Sequence, residues 1–597
     1  MQSHSSASAS YTNGYEFTQG SGYALPEYPF VAPPELTSGE TRRHPIVIVG
    51  GGIVGLTLAC SLARLGVAAV LLDEDNTVGV KGASSRGICY TQKSLEIFHK
   101  LGIYGRIAKK GIQWSVGRTF AGVDEVYSFD LKLQSQYNLS TQPPFINIQQ
   151  FYIEGFLVER IHELGHVDLR WLSRVSAFSQ DERHATLTVD TPDGSYQLQA
   201  DHIIDATGSH SPFHQWVGAS KQTKKGDDRW CIADVRFSTR PPAERHTWIE
   251  APFNENRAVW QHLMADDVWR IDYQMAPNAD PDYVSREDVV RERLQRQFGQ
   301  GVEVEIVWVG PYAYRSQCLD ALRHGRLFFI GDTAKVVSPF GARGGNTGVA
   351  DADNLAWKLA AVLQGQAGPG LLASYNDERL EAAQENVKVT NRTARYLRAP
   401  EGMERTFRSA SIGLAKKYPF ARAFINTGRM AVANSYSRSG ICRGSGGRSV
   451  QNVRFQWAQG PASPASEGTV NELLAWAGAN MLLLHFGDLS AGDANRLRQI
   501  SLHAPVQTVQ VLSAQPGADV GGFAHALHTP YARKQVIDAW GHLRTASHVG
   551  PRSWALIRPD AYLAARGDGV GADLVKAIEI ALGRSMAAAP VLAEEKP

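Results

Sequence analysis

Two glycine-rich runs almost 300 residues apart carry the residue types that can grip phosphate and a second charged group together. The first is Ile46-Val47-Ile48-Val49-Gly50-Gly51-Gly52-Ile53-Val54-Gly55. Gly50 permits a tight turn, Gly52 lets a pyrophosphate reach the backbone, and Gly55 lets the next helix lie close to the strand. A helix opening at Ile53 and Val54 offers unpaired N–H groups and a positive dipole end to the anion. Asp73, with Glu74 beside it, follows Gly55 by about 20 residues, where an acid accepts both hydroxyls of an adenosine ribose.

The second run is Leu327-Phe328-Phe329-Ile330-Gly331-Asp332-Thr333-Ala334, followed by Pro339-Phe340-Gly341-Ala342-Arg343-Gly344-Gly345-Asn346. Gly331 and Asp332 close an apolar run. Free N–H groups where the next helix opens, near Gly344, Gly345 and Asn346, can stabilise negative charge on a reduced flavin ring. The first run alone fits any dinucleotide. The two together, in this order, point to FAD held at both ends.

The elements that position these residues follow from local pattern. Ile46 to Val49, Val67 to Leu72 and Leu327 to Ile330 are short apolar runs of buried parallel-strand type. Helices are predicted from Ile53 to Leu65, stopped by Gly66, and through Asp351 to Leu363. Strand-like runs at Trp230 to Phe237, Ala258 to Met264, Val268 to Met275 and Val302 to Val309 read as one β-rich insertion. The expected layout is an N-terminal extension over 1–42, partly disordered, and an FAD-binding domain in two parts, 43–218 and 323–400. A β-rich substrate domain over 219–322 separates those parts. A helical segment and loop (401–458), a linker (459–469) and a small α/β unit (470–590) complete the chain. In that last unit Met481 to Phe486, Val506 to Leu512 and Trp554 to Ile557 read as strands, Arg558-Pro559-Asp560 as a turn, and Leu574 to Leu582 as a helix.

Composition excludes several classes. With 61 basic and 59 acidic residues the net charge is +2, which gives no nucleic-acid surface. Hydrophobic content of 43% suits a soluble globular chain, and no apolar stretch is long enough for a membrane span. The five cysteines are scattered without paired spacing, which fits a reducing cytoplasm and no structural metal. Residues 1–42 show no signal-peptide core. Their aromatic residues, Tyr11, Tyr15, Phe17, Tyr23, Tyr28 and Phe30, suit an arm lying across a surface.

On these residues the chain resembles the group A flavoprotein aromatic hydroxylases, the para-hydroxybenzoate and phenol hydroxylase family, over about Pro45 to Leu380. The resemblance also rests on Ser85-Arg86-Gly87-Ile88 with Ser94-Leu95-Glu96, on Gln150 with Glu154, on Asp351-Ala352-Asp353-Asn354-Leu355-Ala356-Trp357-Lys358-Leu359 and on Ser374-Tyr375-Asn376-Asp377-Glu378-Arg379. It implies an FAD-binding Rossmann-like domain of glutathione-reductase type with an inserted β-rich domain and a C-terminal thioredoxin-like α/β domain. That last domain would serve packing or dimerisation. Lacking cysteines after Cys442, it could do no thiol chemistry.

The resemblance further implies that Arg86 and Gln150 contact FAD, that Asp332 bonds its ribityl chain, and that the Pro339–Asn346 loop lines the isoalloxazine. It implies reduction of FAD by NADH or NADPH, capture of O2, and attack of a phenol-type ring on a flavin C4a-hydroperoxide. The partners it implies are a small aromatic substrate and O2, in a homodimer.

Two positions depart from the family pattern. Thr207-Gly208 stands where an Asp-Gly pair is usual, with His210 and His214 at positions often filled by Arg; Gly208 keeps its cofactor-binding expectation. Lys335 stands where His is common. Both bear on electron-donor use more than on FAD binding. On the substrate side, alternation along Trp269 to Met275 puts Arg270, Asp272 and Gln274 on one face and Ile271, Tyr273 and Met275 on the other. Asp272 is expected to orient or deprotonate a phenol and Arg270 to hold it or a substrate carboxylate, with Tyr273 and His262 as further candidates. The reading is an FAD-dependent aromatic monooxygenase. Its rivals are a flavoprotein oxidase or dehydrogenase without oxygen insertion, and an FAD-containing binding protein without catalysis.

Overall fold

The structure is a computed structural model, and it describes residues 11–12, 15–16, 25–79, 87–239, 241–398, 400, 402–425, 430–457, 466–513, 534–550 and 552–584. Arg86 and Ser85 lie outside the described residues, as do Phe17 and Tyr23.

The apolar runs build a mostly parallel sheet. Val167–Arg170, Ala69–Leu72, Arg42–Val49, the C-terminal half of Gly194–Asp205 and Leu327–Phe329 lie side by side in parallel register. Asp205 pairs with Val49 on one side and Phe329 on the other, so the carboxyl ends of three strands converge on one rim. That rim is where open α/β sheets bind ligands. The helices Ile53–Arg64, Gln150–Leu164 and Gly344–Leu363 surround the sheet. Ile46, Val47, Ile48, Ile203, Ile204 and Phe328 are fully buried in the core beneath them.

The second sheet has eight strands. Val304–Leu319, Lys221–Phe237, Trp269–Gln274, Arg257–Leu263 and Arg245–Ala251 are neighbours in that order. Four of these five overlap the strand-like runs read from the sequence; Arg245–Ala251 was not foreseen. Nor were Val116–Ala121 and Asp124–Asp130, which complete one edge through a parallel pairing with Arg245–Ala251. The β-rich layer thus draws strands from before residue 131 as well as from the 219–322 insertion. The sequence hides this because pairing between distant segments leaves no local periodicity.

The C-terminal unit follows the order of a thioredoxin-type fold. Met481–Phe486 is parallel to Val506–Ser513 across the Ala491–His503 helix. It is antiparallel to Ser553–Ile557, which pairs with Leu563–Asp568 ahead of the Ala572–Ala581 helix. Lys534–Asp538 extends the sheet beside Val506–Ser513. The described end of the expected 459–469 linker is not loose: Glu467–Thr469 is a strand paired with Arg454–Trp457.

Within the N-terminal extension, the described residues from 25 onward are anchored. Tyr28 stacks on Trp171 with ring centroids 4.5 Å apart. Buried Glu35 takes ion pairs from His44 at 2.6 Å and Arg170 at 3.1 Å. Among the described residues no helix is long and apolar enough to cross a membrane.

Candidate active site

The first glycine run folds as its residue types require. Gly50 sits at φ +110°, and a Cβ there would lie 2.5 Å from the Ala206 carbonyl oxygen. A Cβ on Gly55 would lie 2.0 Å from the Gly50 carbonyl oxygen, so helix and strand touch through bare backbone. Gly52 differs: a Cβ on it meets nothing within 4 Å. It caps the Ile53–Arg64 helix without a side-chain cap. The open space thus lies over a helix N-terminus, the setting a pyrophosphate needs. Behind it, Ile53 N–H donates to Glu154 Oε1 at 2.9 Å, and Gln150 Nε2 donates to the same oxygen at 2.7 Å. Burial pushes the Glu154 carboxyl up, against those two hydrogen bonds. Asp73 ends its strand as expected, and its carboxylate braces the turn by accepting from the Gly51 N–H and, at 2.9 Å, from Asp75 N–H. Glu74 beside it is exposed.

At the other end Gly331 (φ +66°) opens a short turn after Leu327–Phe329. Cβ atoms on Gly331 and Gly348 would stand 3.0 and 2.6 Å from a Val54 methyl. Val54 therefore spaces the two glycine-rich segments with its side chain. Asp332 is exposed at the rim, and Pro339 is half-buried on the loop. Cβ atoms on Gly344 and Gly345 would meet at most one methyl, at 3.8 Å from Gly344. The second helix start is thus as open as the first.

The Asn346 side chain has a structural task of its own. Its Nδ2 donates to the Cys89 and Ala342 carbonyls at 2.8 and 2.7 Å, and its Oδ1 accepts from Thr91 N–H at 2.9 Å. The side chain stitches the loop to the neighbouring strand, and only its backbone N–H is left for a cofactor.

The two departures also find places. Thr207 donates through N–H and hydroxyl to Asp205 Oδ1 at 3.0 and 2.7 Å, and Gly208 follows at φ +90°. A buried carboxylate is thus present two residues before the position where one was missed. Burial pushes it up to about 6, against the bonds from Ser211 and Thr207. Lys335 is buried in an ion cluster with Asp351, which also pairs with Arg379 at 2.5 Å and accepts Gly331 N–H at 3.0 Å. Lys335 therefore braces the Gly331 turn. His214 lies in the same region, its Nε2–H donating to the Thr333 carbonyl oxygen at 2.8 Å.

Facing the Pro339–Ala342 loop is one face of the second sheet. Directly paired residues share a face, and the register places Trp230, Gln274 and Asp272, Trp260 and Arg270, His262 there. Trp230, Trp260 and Phe340 form an aromatic wall, with ring centroids 5.1 to 6.2 Å apart. Arg270 clasps Asp272 with Nε and Nη2 at 2.9 to 3.2 Å. Buried His262 leaves Nδ1 without a hydrogen bond, and burial holds its imidazole well below its usual range.

Tyr273 does not belong to this face. It points into the opposite layer against the Glu287–Phe298 helix, where its hydroxyl donates to Gln297 Oε1 at 2.7 Å. Strand alternation, which brings Asp272 to the aromatic wall, removes its neighbour from it.

A family model described as "FAD binding domain" matches residues 43–390, more than half of the chain. The chain belongs to this FAD-binding family. Among its relatives is 3-(3-hydroxy-phenyl)propionate/3-hydroxycinnamic acid hydroxylase 2 of Burkholderia vietnamiensis, 24% identical over 90% of this chain and 96% of that protein. Another is 6-methylpretetramide 4-monooxygenase of Streptomyces rimosus, 28% identical over 89% of this chain and 92% of that protein. The flavin-dependent monooxygenase PieE, solved with FAD and substrate, superposes with a TM-score of 0.73 at 21% identity, covering 91% of this chain and 98% of that one. This member of the family is an FAD-dependent aromatic monooxygenase.

Glu154, quoted with Gln150 in the sequence, gains its task only in the structure, and its i, i+4 spacing from Gln150 on a helix fits that task. A second ion cluster carried no such signal. Glu378, fully buried, binds Lys358 at 2.7 Å and Arg558 at 2.5 and 2.9 Å, while Arg558 also grips Asp560 at 2.6 Å. Burial alone would raise Glu378, but the Arg558 and Lys358 charges more than offset it and hold the carboxyl well below its usual range. Asn354, on the helix that opens at Gly344, donates to Glu378 and Asp560 at 2.7 and 3.2 Å.

Proposed function

We propose that this monooxygenase hydroxylates a phenol-type ring seated between the Pro339–Ala342 loop and the facing sheet. The observation that carries this is the aromatic wall of Trp230, Trp260 and Phe340 standing over the Arg270–Asp272 pair. Gly50, Gly52, Ile53, Val54, Gly55, Asp73 and Glu74 form the adenosine and pyrophosphate end of the cofactor site. Gln150, which shares Glu154 with the Ile53 N–H, and Gly208, which follows the segment behind Gly50, adjoin that end, while Gly331, Asp332, Pro339, Gly344, Gly345 and the Asn346 backbone serve the flavin end. The chemistry FAD supplies when bound is activation of O2 after reduction by NADH or NADPH.

The chain's own groups do the rest. The buried aromatic wall excludes water from the reacting ring. Asp272 accepts a hydrogen bond from the substrate hydroxyl, which makes the ring more nucleophilic, and Arg270 fixes the carboxylate by its two-point grip. His262 offers a neutral imidazole nitrogen on the neighbouring strand as a second partner.

The test is NAD(P)H consumption across a phenol panel together with transfer of ¹⁸O from ¹⁸O2 into product. Stimulated consumption with labelled product is expected. Oxidised product without label would make the enzyme an oxidase or dehydrogenase, and absence of any stimulation would favour a binding protein.

The protein works as a homodimer in the cytoplasm on this reading. Met403, Phe407 and Leu414 fall on one face of the Gly402–Lys417 helix and are 89%, 65% and 41% exposed. A second copy covers that apolar stripe. A Phe407→Glu variant sediments as a monomer if so, and an unchanged dimer would refute it. All five cysteines are unpaired, as suits a reducing compartment.

A further inference from the structure

Six arginines are buried among the described residues. Five of them have hard oxygen partners. Arg170 pairs with Glu35 and Arg379 with Asp351. Arg558 pairs with Glu378 and Asp560. Arg343 donates to Asn386 Oδ1 at 2.6 Å, and Arg408 to the Ile249 carbonyl at 2.8 Å. The sixth, Arg245, has none. It is 4% exposed, its Nε makes no hydrogen bond, and Nη1 reaches only the Met430 Sδ at 3.3 Å. Thioether sulfur is a weak acceptor.

The position of this guanidinium is specific. Arg245 alternates with Thr247, which pairs with Trp260, so Arg245 lies on the face of the aromatic wall. Its guanidinium stands 4.8 Å from the Trp260 ring centroid. Ala431, next to Met430, donates to the Gly341 carbonyl at 2.8 Å, which ties that sulfur to the loop behind Phe340. The guanidinium thus bridges the two walls of the substrate site. The charges nearest to it are Cys89 and Asp272. Burial pushes the Cys89 thiol up to about 12, so it stays neutral, and Asp272 is already clasped by Arg270.

A buried guanidinium cannot shed its proton, and without a counter-ion it is strongly disfavoured. We propose that Arg245 is the anchor for a carboxylate on the aromatic substrate, binding it through Nε and Nη while the ring lies along Trp260. This assigns the carboxylate to Arg245 and leaves Arg270 to Asp272. The inference rests on the reading that this sheet face is the substrate side, and it makes the substrate an aromatic acid.

The test is binding to the FAD-loaded enzyme, followed by flavin difference spectra and calorimetry. The probes are matched acid and amide pairs of increasing reach: benzoate and benzamide, 3-phenylpropanoate and its amide, 1-naphthoate and its amide. At least one acid should bind 10-fold or more tighter than its amide. Arg245→Met, which keeps the apolar stem against Trp260, should bring that ratio to within about 2-fold, while Arg245→Lys keeps part of it. Equal binding of every acid and amide by the parent enzyme would overturn the proposal, and so would a preference that survives Arg245→Met. Retention of FAD binding and of the parent's melting curve by Arg245→Met serves as the control for folding. If the acid preference fails while phenols still acquire ¹⁸O, the anchor falls and the monooxygenase reading stands. The reverse pattern would remove that reading and leave the anchor.

Discussion

Gly52 and Gly55 stand three positions apart in one motif, yet the structure assigns them opposite costs when each is changed to alanine. At Gly52 the backbone is extended (φ −75°), which alanine adopts freely, and the added methyl meets no protein atom within 4 Å. The FAD-free protein should therefore melt within about 1 °C of the parent, or slightly higher, since a Gly→Ala change at a compatible φ removes unfolded-state entropy. The methyl does fill the space over the helix N-terminus. It holds a phosphate away from at least one N–H, and a charge-assisted hydrogen bond is worth about 1.5–3 kcal/mol. FAD affinity should thus fall about 10- to 100-fold. At Gly55 the methyl lands 2.0 Å from the Gly50 carbonyl oxygen, a backbone atom that cannot rotate away. Helix and strand must separate, at about 3 kcal/mol or more, and the FAD-free Gly55→Ala protein should melt at least about 5 °C below the parent. The assays are circular-dichroism melting of both FAD-free variants and FAD titration by fluorescence quenching. Unchanged FAD affinity in Gly52→Ala would refute the phosphate cradle. Parental melting of Gly55→Ala would refute the packing argument.

Three further outcomes follow from named contacts. Asp205 has a folded pKa of about 6, above its unfolded value near 3.8, so the folded state holds its proton more tightly and stability falls as pH rises between those values. An Asp205→Asn variant should therefore gain about 2 kcal/mol relative to the parent between pH 4 and pH 7, read from paired urea titrations; a constant difference would show that the carboxyl is not perturbed. Replacing Arg558 by Met leaves Glu378 and Asp560 short of a buried cation and should cost about 3–5 kcal/mol in thermal or urea melts; a loss under about 1 kcal/mol would show the cluster to be solvated. Tyr273→Phe should keep turnover within about 2-fold and lose about 1 kcal/mol of stability, whereas Asp272→Asn should lower kcat about 100-fold or more; equal effects in the two variants would refute their placement on opposite faces.

Much of the cofactor site is written in local pattern because much of its physics is local. A strand, a turn with three glycines, a helix and a terminal acid occupy under 30 consecutive residues, and the close approach of Gly55 to the Gly50 carbonyl lies within that span, whereas Gly50 itself backs onto the distant Ala206. Met481–Phe486 and Ser553–Ile557 were legible for the same reason, as apolar runs between clear breakers. Most of the misses are long-range; the hairpin of Val116–Ala121 with Asp124–Asp130 is a local one. Arg245–Ala251 puts Arg245 and Thr247 on its buried face, so its burial pattern contradicts the apolar alternation that identifies a strand. Its charged residue makes sense only once Trp260 and the flavin loop stand around it. Asn346 sits inside a recognisable motif, but its bonds to Cys89 and Thr91 span more than 250 residues, so the motif marks the position without its task. Arg558 and Glu378 are 180 positions apart.

The C-terminal unit has the strand order of a redox fold and no cysteine to act with. Its contacts say what it does instead. Lys93 donates to the Asp560 carbonyl at 3.0 Å and Lys100 to the Pro559 carbonyl at 2.9 Å, both from the Gln92–Leu101 helix of the FAD-binding layer. Arg558 and Asp560 then reach Glu378 and Asn354, and Asn354 and Lys358 belong to the Gly344–Leu363 helix. That helix begins at the two open glycines, Gly344 and Gly345. Its first turn has no side-chain cap, so its position depends on what holds the turns behind it. A buried, mutually compensating set of charges tolerates little displacement, because each misplaced ion loses its partner in a low dielectric. The turn Arg558-Pro559-Asp560 therefore acts as a clamp: it fixes the helix axis from the far side and so sets where the Gly344 and Gly345 N–H groups point. The C-terminal unit is thus joined through this turn to the helix that opens at Gly344.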